Sequence, residues 1–388
     1  MSKSTARRAD LAQTVTTPQG RAAVPSGSGG KLLAPRPPLL HVEPMRSLRL
    51  EHHGAPLVAR DIPTPVPAPG EVLLHVRAAG ICHSDAHYRA GRAGSPRMPR
   101  TLGHEVAGVV SALGAGVTTH AVGDRVCLHY LVTCGRCTHC VAGREQFCPD
   151  GQMLGNHRDG GYAEYIVVPS RNAVPLPNEI SFEHGAVMMC SSSTSLHALR
   201  RGRLTPGERV AVIGVGGLGI SAVQLARALG ALEVFAIDLD AAKLDVARRF
   251  GATTIQAGTT DVVQAVRDAT HGRGVDVALE LIGASDTMQQ SVQMLAVHGR
   301  AVIAGLSRTP LALDTYRHLL GPETELIGAN DHLLSELPLL IELAQRGALD
   351  LSAVVTQSVP LDADAVNRVL DDLDAYRAPL RTVITASR

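Results

Sequence analysis

No stretch of the chain comes near the eighteen or so uninterrupted apolar residues that a membrane-spanning helix needs, so no membrane partner of that kind is expected. Excess charge of one sign is equally scarce. With 37 basic against 36 acidic side chains there is no basic footprint for nucleic acid and no strong field to steer anionic partners. No apolar signal segment opens the chain, and seven cysteines, an odd number, suit a reducing compartment better than a disulfide framework. A cytoplasmic location is expected on those grounds. Tryptophan is missing altogether, and aromatic residues make up 3% of a chain that is 45% hydrophobic and 19% charged, the composition of a soluble globular protein. At 388 residues the chain is too long for one comfortable core and predicts two domains.

Residues 1–44 differ from the rest, with Ser, Thr, Gly, Pro and Arg scattered without period. They read as a disordered extension. The segment is Arg- and Ser-rich with Asp10 and Glu43 as its acids, a faint likeness to an organelle transit peptide, but it lacks an amphipathic stripe. Met45 stands as an alternative start, because ordered alternation begins just after it with RSLRLEHHG.

From Met45 to about Pro177 the signals are strands and turns: EVLLHVRAA, HEVAGVVSAL, DRVCLHYLV and GYAEYIVVP, with Gly and Pro between them. This pattern predicts a compact, partly open β-barrel. From about Leu196 to Asp331 strands (RVAVIGV, EVFAIDL, VDVALELIG, RAVIAGL) alternate with helical segments, the grammar of a doubly wound parallel sheet of the Rossmann type. From His332 onward come one more helix, LPLLIELAQRG, some strand-like stretches and a final RTVITA, expected to return to the first domain. The expected division is residues 45–195 with 332–388 in one domain and 196–331 in the other.

Cys134, Cys137, Cys140 and Cys148 form a C-x2-C-x2-C-x7-C array. Four thiolates at about 2.3 Å complete the closed tetrahedral shell of a structural Zn²⁺, so the array predicts a stapled lobe and no chemistry of its own. Disulfides and a nucleic-acid-binding zinc ribbon are the rival readings, weakened by the cysteine count and the balanced charge.

Gly214, Gly216 and Gly219, with Gly217 and Leu218 between them, form G-x-G-x-x-G directly after the strand RVAVI and before a helix. The first glycine permits the tight turn, the second lets backbone approach a pyrophosphate, and the third allows close packing of helix on strand. The helix N-terminus adds free N–H groups and a positive dipole end. Asp238, nineteen residues past Gly219 at the end of EVFAI, can accept hydrogen bonds from both adenosine ribose hydroxyls. With Asp240 nearby and no arginine beside them, this selects NAD over NADP, the plain alternative being a solvated aspartate at a strand end.

Cys82 opens the segment GICHSDAHYRAG, and His104 with Glu105 follows in LGHEVAGVV. With the four-cysteine array, Cys190 and the glycine fingerprint in the same order, the chain from about Met45 onward resembles the zinc-dependent medium-chain alcohol dehydrogenases. The resemblance implies a GroES-like catalytic domain beside a Rossmann domain, and two Zn²⁺ per chain. Cys82, His104 and Cys190 would hold a catalytic zinc with its fourth position open to water or an alcohol oxygen. Glu105 would be a possible alternate ligand, and Asp85 would fix the tautomer of His104 from behind.

The same resemblance implies an alkoxide on the zinc, hydride transfer to NAD, and a proton relay from Ser84 through the nicotinamide ribose to His87. Ser84 replaces the threonine of some relatives and keeps the hydroxyl. His83 and Arg381 are similar to residues that contact the pyrophosphate; Thr194 and Lys243 match other cofactor contacts, as do Leu281 and Leu306 near the nicotinamide. Taken singly, His87 reads as a surface histidine and Cys190, in VMMCSSSTS, as a buried structural cysteine. Cys127, inside DRVCLHY, is expected in the core.

The substrate pocket departs most from the family. Some relatives that use short alcohols narrow the cleft with tryptophans, and here Ala93 and either His129 or Tyr130 fall near those places, which implies a roomier pocket. The interval from Cys148 to Cys190 lacks the insertion of dimeric animal relatives, so similarity to the shorter microbial form implies a homotetramer. The substrate is expected to be a small alcohol or carbonyl compound. A polyol or other secondary-alcohol dehydrogenase is the second hypothesis; a noncatalytic NAD-binding sensor or scaffold is the third, and would not need Ser84 and His87.

Overall fold

The computed structural model describes residues 43–92, 97–307 and 309–385. The expectations for the N-terminal extension, apart from Glu43 and Pro44, and for Ala93 lie outside the described residues. Regular pairing begins with the strand Pro44–Leu50, which binds Val58–Pro63 on one side and Arg100–Thr101 on the other.

Strand Glu71–Ile81 is the spine of the first large sheet. It pairs antiparallel with Glu105–Leu113, with Tyr165–Pro169 and with the last strand, Arg381–Thr385. Arg125–Leu128 and Ala173–Pro175 extend the sheet on one side and Val355–Pro360 on the other, giving the partly open barrel that the spaced turns predict. The final strand thus lies against a partner some three hundred residues earlier. Cys127 sits wholly buried in Arg125–Leu128, where burial pushes its thiol up to about 12.

The second large sheet is parallel throughout, in the order Thr253–Gln256, Glu233–Asp238, Arg209–Ile213, Val275–Glu280, Leu295–Ile303, Glu325–Gly328. Counted along the chain this is 3-2-1-4-5-6, with the order reversing beside Arg209–Ile213, the crevice where such sheets bind nucleotides. Val210, Ala211, Val212 and Ile213 are all buried, as required of a strand covered by helices on both faces. Among the helices that the sequence reading passed over are Val262–Ala269 and Ala363–Asp374. Both begin at an aspartate, Asp261 and Asp362, whose side chain accepts a hydrogen bond from a backbone N–H of the first turn.

Candidate active site

Cys82 follows the spine strand and caps the short helix His83–Arg89, while His104 immediately precedes the neighbouring strand that Glu105 opens. Cys190 comes from a separate place, a π-helical turn at Met188–Ser192 between two α-helices, a distortion frequently found at functional sites. These four residues converge: their donor atoms lie within 4.8 Å of one another and all four side chains are buried.

Electrostatics make the cluster a natural cation site. Cys190 donates a hydrogen bond to Cys82, which draws the Cys82 thiol well below its ordinary range and holds Cys190 well above it. Burial pushes Glu105 up to about 8 against the pull of Arg381. Glu105 Oε1 accepts from Arg381 Nη2, but Oε2 is buried without a partner. Two thiols, an imidazole and an orphaned carboxylate oxygen at one point are a donor set that fits Zn²⁺.

Asp85 stands behind His104. Its Oδ1 lies 3.3 Å from His104 Nδ1 and accepts from Gly103 N at 3.2 Å; its Oδ2 accepts from Cys82 N and the Tyr162 hydroxyl, both at 3.0 Å. Burial opposes charge on His104, yet the Asp85 carboxylate outweighs it and raises the imidazole well above 6.5. With Nδ1 so engaged, Nε2 is free to face the cluster. Ser84 Oγ lies 3.9 Å from Cys82 Sγ, and His87, half-buried, has its ring 4.8 Å from that of His83. Burial lowers the pKa of His87, with the neighbouring His83 adding to the effect, so the ring is neutral near pH 7.

The four cysteines of the array converge separately, again within 4.8 Å. Cys134 N donates to Cys148 Sγ, Cys137 N to Cys134 Sγ and Cys140 N to Cys137 Sγ, and the backbone donors of Arg136 and Cys137 draw the Cys134 thiol down to about 6. All seven cysteines are free of disulfides.

The glycine turn follows the strand Arg209–Ile213. Gly214 has φ +93°, and a Cβ on Gly219 would lie 2.1 Å from Gly214 O, so the first and third glycines meet the needs of a tight turn and of close helix packing. A Cβ on Gly216 would meet nothing within 4 Å, leaving open space at the N-cap of the helix Gly217–Ala228. Arg381 borders this space: a Cβ on Gly217 would lie 2.6 Å from Arg381 Cδ, and Arg381 Nε is buried without a partner. An unused guanidinium donor beside an open helix N-terminus fits a pyrophosphate. Arg381 therefore bridges the glycine turn and Glu105.

Asp238 Oδ2 accepts from Val215 N at 2.7 Å and Oδ1 from Asp240 N at 3.0 Å, so the backbone aims both oxygens while lone pairs remain for hydroxyl donors. Lys243 lies in the following helix, Ala241–Arg249, and Thr194 in the first turn of Ser193–Arg201; both are half-buried. Leu281 follows the strand Val275–Glu280, and Leu306, 67% exposed, follows Leu295–Ile303. Their loops touch, since a Cβ on Gly283 would lie 2.2 Å from Leu306 O.

Of the two residues weighed for the pocket wall, Tyr130 faces the cluster, its ring edge-on to His104 at 5.2 Å. His129 instead bonds through Nδ1 to His332 Nε2 at 2.9 Å. Sequence reasoning missed Tyr162, His332, Ser193 and Asp331. Nothing in their local motifs marks them, because the contacts of Tyr162 with Asp85, His332 with His129 and Ser193, and Asp331 with Tyr130 join distant segments.

Residues 68–178 match the family model of the alcohol dehydrogenase GroES-like domain and residues 217–345 that of zinc-binding dehydrogenase. An NAD-dependent alcohol dehydrogenase of Sulfurisphaera tokodaii is 33% identical over 350 residues, which cover 88% of this chain and 99% of the relative. Sorbitol dehydrogenase of Bacillus subtilis is 34% identical over 327 residues, 82% of this chain and 92% of that one. Among solved structures, the cobalt- and zinc-bound thermostable alcohol dehydrogenase of Pyrobaculum aerophilum is similar with a TM-score of 0.78 at 32% identity, covering 88% of this chain and 99% of that one. The chain belongs to the zinc-dependent medium-chain alcohol dehydrogenases, a family of oxidoreductases.

Proposed function

We propose that the protein is an NAD-dependent alcohol dehydrogenase that reversibly oxidises primary or secondary alcohols to aldehydes or ketones. The observation that carries this reading is the buried convergence of Cys82, His104, Glu105 and Cys190, joined through Arg381 to the glycine turn. Residues 45–195 with 332–388 form the catalytic domain and residues 196–331 the NAD-binding domain. Cys82, His104 and Cys190 hold a catalytic zinc, with Glu105 as alternate ligand, and Cys134, Cys137, Cys140 and Cys148 hold a structural one. Zinc at the first site supplies Lewis acidity toward the alcohol oxygen, and NAD supplies the hydride acceptor.

The chain's own groups handle position and protons. Asp85 keeps the proton of His104 on Nδ1, so the metal-facing nitrogen stays a donor of electrons. Ser84 Oγ takes the alcohol proton, and His87, neutral near pH 7, receives it toward solvent. Asp238 accepts the ribose hydroxyls, while His83 and Arg381 bind the pyrophosphate at the helix that begins with Gly217. Thr194, Lys243, Leu281 and Leu306 complete the cofactor contacts.

The test measures zinc content and follows reduced nicotinamide with a panel of alcohols and carbonyls, using NAD and NADP. Two zincs per chain are expected, with NAD preferred and larger primary, secondary or benzylic alcohols ahead of ethanol in kcat/KM. Zinc-loaded protein that turned over no alcohol or carbonyl with either cofactor would refute the assignment. A polyol or other secondary-alcohol substrate is the second reading, favoured by the 34% identity to sorbitol dehydrogenase.

A further inference from the structure

One carboxylate near the metal cluster has no part in the chemistry above. Asp331 lies in the turn after the strand Glu325–Gly328, and its Oδ1 accepts a 2.9 Å hydrogen bond from the Tyr130 hydroxyl. The Tyr130 ring is the one that stands edge-on to His104. One phenol ring therefore separates Asp331 from the imidazole of the cluster. Asn330 Nδ2 donates to Asp331 Oδ2 at 3.3 Å.

The turn is held in place from several sides. Asp331 adopts a left-handed backbone with φ +55°, a conformation uncommon outside glycine that costs free energy unless its surroundings impose it. Next to it, the wholly buried His332 bonds through Nε2 to His129 Nδ1 at 2.9 Å and through Nδ1 to Ser193 Oγ at 3.1 Å. Ser193 Oγ in turn lies 3.1 Å from the carbonyl of Cys190, to which it can donate. Leu334 N donates to Glu145 Oε1 at 2.7 Å. The turn is thus fastened both to the segment that carries Tyr130 and to the one that carries Cys190, and a side chain so held is pre-positioned for recognition. Burial raises the pKa of Asp331, and the Tyr130 hydrogen bond offsets it only in part.

We propose that Asp331 is a specificity residue that accepts a second donor group of the substrate, a hydroxyl or an ammonium, carried several bonds from the carbon that reacts. The proposal rests on the alcohol-dehydrogenase reading and names the substrate class for it: diols, polyols or amino alcohols in place of plain alkanols. Tyr130 is a positioning residue that holds the carboxylate at the pocket wall. His129 and His332 hold the turn.

The test uses the zinc-loaded full chain with NAD and three matched series of about four to six carbons: n-alkanols, α,ω-diols and ω-amino alcohols. Wild-type protein is expected to favour the donor-bearing series by about tenfold in kcat/KM, the worth of one hydrogen bond to a charged group, after correction for the two ends of a diol. Asp331→Ala should shrink that ratio to about twofold or less. Asp331→Asn, close to isosteric and able to keep the Tyr130 bond, should retain the diol preference and lose the amino-alcohol preference if charge is what is read. Calorimetric titration of the diols and amino alcohols into the protein with NAD gives an independent readout, with Kd rising about tenfold in Asp331→Ala. Equal or better turnover of n-alkanols by the wild type, or ratios and Kd unchanged in Asp331→Ala, would overturn the proposal and leave the dehydrogenase reading standing. Asp331-dependent binding without oxidation of any alcohol would support the subsite and sink that reading instead.

Discussion

Asp85 is a carboxylate with no exposed surface, and it tolerates burial because four donors reach it: two backbone N–H groups, the Tyr162 hydroxyl and His104 Nδ1. Asp85→Asn changes charge and not size, so zinc affinity at the cluster is expected to fall about 10- to 100-fold, read by competition with a chelator. Cys190→Ala should go further, leaving one zinc per chain and no activity while circular dichroism stays native; full activity in that variant would remove Cys190 from the ligand set. Spacing made the four-cysteine array and the glycines legible, because those motifs have few other uses, whereas Cys82, His104 and Cys190 were legible as ligands only through the resemblance to the family. Tyr162 was not legible: it meets Asp85 across seventy-seven residues, a contact that only strand pairing and the close approach of Gly160 and Gly161 to neighbouring backbone and side chains create.

Strands and turns set the distances within which those residues act. Gly80 faces Glu105 across the antiparallel ladder, and a Cβ there would lie 2.0 Å from Glu105 Oε2. Gly80→Ala is expected to push the Glu105 carboxylate aside and cost about 1–3 kcal/mol, visible as a lower denaturant midpoint with an unchanged slope. At the turn after Glu325–Gly328, burial pulls His129 down to about 3 and His332 well below 6.5. Both folded values lie under the unfolded one, so below about pH 6.5 the unfolded chain binds protons that the fold refuses. Stability from this pair is complete above pH 6.5 and lost as pH falls, by about 1.4 kcal/mol per pH unit for each histidine. Unfolding at pH 7.5 and 5.5 measures it, and His332→Gln should flatten the difference; equal slopes in wild type and variant would exclude the mechanism. The sequence carried no hint of this turn, since a histidine pair becomes a buried hydrogen-bonded unit only when two distant loops meet.

Across the whole molecule, the last strand closes the site. Arg381 opens Arg381–Thr385, which pairs with Glu71–Ile81, and from there its side chain reaches both Glu105 and the glycine turn. Light scattering is expected to give a homotetramer, and a stable monomer would contradict the implication drawn from the short Cys148–Cys190 interval. Period, turn residues and motif spacing are local properties, so the sequence by itself determined the two kinds of sheet, the four-cysteine lobe, the dinucleotide turn and the family whose motifs these are. Tertiary structure alone decided that Tyr130 and not His129 faces the cluster, that Arg381 links Glu105 to the glycine turn, and that Asp331 accepts from the Tyr130 hydroxyl. Those facts depend on the path of the backbone between distant segments, and hydrophobic burial and strand register fix that path only when the whole chain folds.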